Sequence, residues 1–256
     1  MFFWSKERRR ARVRERPFPE AWAEILRRRV PYYTRLAEAQ QAELRGHVQV
    51  FLAEKHFEGC GGFALDDEVR ITIAGHACIL LLNRPAHYYP KLTSILVYED
   101  RFWVNAHVED DDGLVEEIDD WHAGESWQTG AVILAWKEVL DCGATEGEAA
   151  YNVVLHEFAH QLDDDDGVID GVPSLDRDDL FDRWADVFER SFEKHLRDVR
   201  RRRDTPIDDY GAQDPAEFFA VATETFFEMP AALRKRHPEL YALLRGYYRQ
   251  DPAEYA

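Results

Sequence analysis

The chain has 256 residues, 45% of them hydrophobic, enough to bury a substantial core and to exclude intrinsic disorder as its main state. Its 32 Lys+Arg against 50 Asp+Glu leave a net charge of −18, which repels nucleic-acid phosphate and anionic lipid and excludes a general role in binding either. No apolar run approaches membrane-spanning length, and the scattered Cys60, Cys78 and Cys142 suggest neither a disulfide framework nor a thiolate metal site, so a cytoplasmic protein with no membrane contact is expected.

Basic charge gathers at the start. Residues 1–35 carry 11 Lys/Arg against 4 Asp/Glu and are the only segment expected to suit an anionic partner. Residues 1–19 read as a solvated basic arm ahead of a single domain spanning 20–256. Apolar periodicity predicts helices over 20–29, 37–55 and 68–82, broken by Pro31 and by the cluster Gly59-Cys60-Gly61-Gly62. From Ser94 the texture turns to short β-rich runs at 95–98, 102–108, 114–121 and 131–135, which suit a small mixed or antiparallel sheet. Helical patterning returns over 146–162, 177–202, 215–227 and 239–248, with loops at 163–174 and 204–213. The order helices, strands, helices predicts an α+β domain.

The sharpest signal is His156-Glu157-Phe158-Ala159-His160, an H-E-x-x-H within the predicted helix 146–162. Histidines at i and i+4 project from one helix face and reach one metal ion, while the glutamate between them can hold a water without ligating. Imidazole with carboxylate favours Zn²⁺, which lowers the pKa of its water towards about 7. A chance match in an apolar helix is the competing reading, and a third ligand decides between them.

Asp163 shares the helix face, but ligands on consecutive turns of one straight helix rarely converge, so it is expected to accept the outer N–H of a ligand histidine. Glu217 is the stronger third ligand: Asp214 and Pro215 read as N-cap and first residue of a helix almost wholly apolar apart from Glu217 and Glu224. A buried ionised glutamate demands a cation; the alternative is a first-turn glutamate favoured by the helix dipole. Glu224, seven residues on, is either a support for the ligands or an ordinary polar residue. Tyr210 stands in a loop before that helix, either packed or offering its hydroxyl to an oxyanion. The run Val132–Ala135 is either a sheet edge beside the site, open to a peptide by strand addition, or a core strand.

His156-Glu157-x-x-His160-x-x-Asp163, with Tyr210-x6-Glu217 in a D-P-A-E-x-F-A-V context, resembles the Mlc titration factor A family of bacterial zinc peptidases. Gly124-Glu125-Ser126-Trp127-Gln128-x-Gly130, the following Val132-x-Leu134-x-Trp136 and the Gly171-Val172-Pro173 turn share the resemblance, which covers about residues 22–252. It implies a zincin-like domain of gluzincin type, with His156, His160 and Glu217 as ligands of one Zn²⁺ ion, Glu157 as general base and Tyr210 as oxyanion donor. The implied activity is aminopeptidase-like hydrolysis of peptide substrates by a zinc-activated water. The implied partner is a transcriptional repressor of the Mlc type. The alternative is a regulatory protein-binding module whose zinc site is latent or structural.

Overall fold

The computed structural model describes residues 2–100, 106–109, 115–118, 130–143, 150–175 and 178–255. Its first half is helical: α1 (Phe2–Arg14), α2 (Glu20–Arg29), α3 (Pro31–Arg35), α4 (Glu38–Glu54) and α5 (Asp67–Ile79). α5 starts where the Asp66 side chain accepts the Val69 N–H, and Asp67 and Glu68 occupy the first turn, where the helix dipole favours negative charge.

The basic segment 1–19 is helical over Phe2–Arg14 and packs on α4. Arg10 is 5% exposed; its Nε and Nη2 donate to the two Glu54 oxygens at 2.9 and 2.8 Å, and its guanidinium lies 4.5 Å from the Tyr88 ring centre. A buried guanidinium is tolerated against such a matched carboxylate. The nearest anionic partner of this segment is therefore the chain's own Glu54.

β1 (His56–Gly59), β2 (Ser94–Tyr98) and β5 (Ala131–Ala135) form a parallel sheet in the order β1-β2-β5, with His56 opposite Ser94 and Ser94 opposite Ala131. β3 (Ala106–Glu109) and β4 (Val115–Ile118) pair antiparallel. The small sheet legible in the sequence thus divides into a parallel part, whose strands are joined by long crossovers, and a separate antiparallel ribbon. The predicted strand residues 102–105, 114 and 119–121 lie outside the described residues.

α6 (Trp136–Leu140), α7 (Val153–Asp163), α8 (Asp178–Arg200), α9 (Pro215–Glu228), α10 (Pro230–Arg236) and α11 (Pro238–Tyr248) complete the α+β order. The helix predicted from 146 begins only at Val153, because the Asn152 side chain accepts the Leu155 N–H and caps it; residues 144–149 are outside the description. α7 packs against α9 and α5, and its Phe158 ring lies 5.6 Å from Phe51 and 4.8 Å from Tyr89. Truncating such a phenylalanine to alanine costs about 3–5 kcal/mol. α8 closes on Arg202, held at φ +50°, with the Arg202 N–H on Val199 O and the Arg203 N–H on Asp198 O, both at 2.9 Å. Glycine usually occupies that left-handed position. Among the described residues no helix is long and apolar enough to cross a membrane.

Candidate metal centre

His156 and His160 sit one turn apart on α7 and present their Nε2 atoms 3.2 Å from each other. α9 supplies the third group. Its start is fixed by Asp214, whose Oδ1 accepts the Glu217 N–H at 2.9 Å, and by Pro215 in the first turn. Glu217 Oε2 then lies 3.1 Å from His156 Nε2 and 3.5 Å from His160 Nε2. The ligand atoms of the three residues all lie within 4.8 Å of one another, in the one such group of His, Cys, Asp or Glu among the described residues. Two imidazole nitrogens and a carboxylate oxygen facing one point form a donor set that a divalent cation of the zinc type fits.

The electrostatics agree with that fit. Burial pushes His160 down to about 4, so its imidazole is neutral at neutral pH and can offer one ring nitrogen's lone pair to a cation. Burial also opposes the charge on Glu217, but the contacts with His156 and His160 outweigh it and hold the carboxyl at about 2. Burial acts on His156 in the same sense as on His160, yet Glu217 and Glu224 overcome it and raise His156 well above its ordinary value. Two carboxylates therefore call for positive charge where the three donors meet.

Glu224 is the support of His156: its Oε1 accepts from Nδ1 at 2.8 Å, which turns Nε2 toward Glu217. The other oxygen of Glu224 accepts the Asn152 N–H at 2.6 Å. Asn152 in turn donates from Nδ2 to Glu228 at 2.7 Å and to His76 Nδ1 at 3.1 Å, and His76 Nε2 donates to the Arg29 carbonyl at 3.2 Å. One asparagine thus joins the start of α7 to α9 and α5. Glu224→Gln and Asn152→Ala should each weaken metal affinity by about 10–100-fold in a chelator competition titration. An Asn152→Ala protein with wild-type affinity would reduce that residue to a helix cap.

Asp163 departs from expectation. Fully buried, it accepts the Gly171 N–H at 2.8 Å through Oδ2, and its Oδ1 has no hydrogen-bond partner, so it supports no ligand histidine. Burial pushes its carboxyl up to about 7. What it holds is the Gly171 turn, at φ +81°, where a Cβ would meet the Pro215 carbonyl at 2.5 Å. The turn abuts the helix that carries Glu217.

Glu157, between the histidines on α7, is 2% exposed. Tyr210 rides on a one-turn 3₁₀ segment, Asp209–Ala212, ordered by Asp208, whose carboxylate accepts the Tyr210 N–H at 2.9 Å. Its ring lies 5.9 Å from that of His156 and is 39% exposed, so the loop does bring a phenol to the site. β5 packs beside α7 and, among the described residues, pairs with β2 alone, which makes it a sheet edge. Of the motif at 124–130, residues 124–129 lie outside the described residues. Asn152 and His76 were not singled out by sequence reasoning; an asparagine directly before the apolar run Val153–Leu155 was the available signal for the cap.

Comparison with known proteins agrees with this geometry. Residues 4–249 match the family described as glucose-regulated metallo-peptidase M90. An uncharacterized protein of Synechocystis sp. is 44% identical over 239 residues, 93% of this chain and 86% of that protein. Mlc titration factor A of Salmonella agona is 32% identical over 232 residues, 88% of this chain and 84% of its own length. Its namesake in Escherichia coli is 31% identical over 236 residues, covering 91% and 87%. The chain belongs to the glucose-regulated metallopeptidase M90 family, the Mlc titration factor A family, and within it His156, His160 and Glu217 form the group able to hold the metal that such a peptidase requires.

Proposed function

We propose that the protein is a cytoplasmic, zinc-dependent peptidase of aminopeptidase type, in which His156, His160 and Glu217 hold one Zn²⁺ ion. The observation that carries this reading is the convergence of those three side chains, on two helices, around one point beside a buried glutamate and a phenol. Zinc held there supplies the positive charge that acidifies a water and polarises the substrate carbonyl. Glu157 takes the proton of the attacking water and returns it to the leaving amine. The Tyr210 hydroxyl donates to the carbonyl oxygen as negative charge develops on it. The edge of β5, unpaired among the described residues, offers main-chain groups to an extended peptide.

Metal content by mass spectrometry tests the reading, on wild type and His160→Ala, with hydrolysis of an amino-acid anilide panel on both. Near-stoichiometric zinc and chelator-sensitive cleavage, both lost in the variant, are the expected result; zinc without cleavage of any peptide would refute catalysis. Tyr210→Phe should lower kcat by about 10–100-fold with little change in KM, because its hydroxyl acts on the transition state. Equal kcat for the two proteins would remove Tyr210 from the reaction.

The name Mlc titration factor A, carried by relatives at 31–32% identity, favours a second role, binding of a repressor of the Mlc type. A Glu157→Gln protein that still bound the repressor would separate that role from catalysis.

A further inference from the structure

A second basic region lies far along the chain from the N-terminal one. The C-terminal end of α8 carries Lys194 and the run Arg200–Arg203, and α10 ends in Arg234-Lys235-Arg236. Helix C-termini favour cations, and that alone explains some of them. It does not explain a cavity of about 360 Å³ between these ends, lined by Lys194, Arg203, Thr205, Arg236 and His237 together with Asp198 and Asp204.

The charge balance inside the cavity is positive. Asp198 is shared by Lys194 at 2.8 Å and Arg203 at 3.1 Å, while Arg236 meets Asp204 at 3.0 Å. Each arginine uses one guanidinium nitrogen in these contacts; the others make no hydrogen bond among the described residues. His237, 5% exposed, forms part of the cavity wall, with its Nε2 enclosed by the protein. The Asp204 side chain is 94% exposed and a weak competitor for Arg236.

We propose that this open cavity is a binding site for a small phosphate-bearing anion, held by Lys194, Arg203 and Arg236. Donors on α8, just after it and at the end of α10 border one open volume, which suits an anion with acceptor oxygens on several sides better than a planar carboxylate. The size exceeds what one inorganic phosphate needs and matches small-ligand sites. A net charge of −18 disfavours a long polyanion, whereas a cationic concavity still concentrates a small one. From Thr205 the chain runs past the buried Ile207 to the segment bearing Tyr210, and the cavity shares no lining residue with the metal centre.

Titration calorimetry with sodium pyrophosphate on the zinc-loaded full chain tests the proposal. Wild type should bind with a Kd below about 1 mM, and Arg203→Gln/Arg236→Gln should bind about ten-fold more weakly or worse. Asp204→Asn should bind a few-fold more tightly, a gain that misfolding cannot produce. Zinc-free wild type, in which the metal centre cannot capture the probe, should bind like the zinc-loaded chain. Equal binding by wild type and the double variant, no gain in Asp204→Asn, or loss of binding on removal of zinc would overturn the site.

Discussion

Glu157→Gln is expected to keep its metal and lose about 10²–10⁴-fold in kcat/KM. The argument rests on separation of roles along one helix. His156 and His160 meet Glu217 through Nε2 atoms, and Glu157 belongs to neither contact, so an isosteric amide leaves the three donors as they are. An amide cannot take a proton from water near neutral pH, so the step that needs a base fails while the fold and metal content persist. Metal analysis and anilide hydrolysis on the same sample read both halves. Wild-type turnover in this variant would show that another group is the base.

His160→Ala and Glu217→Ala should instead lose the metal, and stability with it. His160 is fully buried, and its removal leaves a void and takes away one of three donors. In metal-free His160→Ala, Glu217 and Glu224 are left as two carboxylates with one imidazole, His156, between them. Metal that binds only the folded chain contributes about 2.7–4.1 kcal/mol when its free concentration is 100–1,000 times Kd. Chelation should therefore lower the wild-type melting temperature by several degrees and leave both variants where they already stand. A wild-type melting curve indifferent to chelator would mean that the His-His-Glu group holds no metal in solution.

The parts of the site that were legible in the sequence are those with a local signature. H-E-x-x-H declares a shared helix face, and Glu217 stood out because an acid amid Phe218, Phe219 and Ala220 needs a partner. The support of the ligands is harder to read because it is long-range: the sequence offers both Asp163 and Glu224, and only Glu224 serves. Asp163 is near His160 in sequence yet bonds Gly171, whereas Glu224 reaches His156 from another helix. Most of the principal helices could be bounded from periodicity and capping, but α1 escaped, since an arginine-rich segment looks solvated until Glu54 and Tyr88 are placed against Arg10. β1 escaped for a related reason, since it is four residues with no apolar alternation and its pairing with β2 is set by tertiary contacts, whereas β2 and β5 fall within predicted runs.

α9 is buried from Ala216 to Phe227 and lies against α7 in the centre of the molecule. A helix so enclosed exchanges its amide protons only when much of the domain opens, so α9 should be among the slowest segments in native-state hydrogen exchange. Tyr210, by contrast, is an exposed residue of a 3₁₀ turn that is itself braced on α9. The His-His-Glu group thus sits in a part of the protein that should open slowly, with the phenol held at its solvent-facing rim by a turn fastened to the same helix.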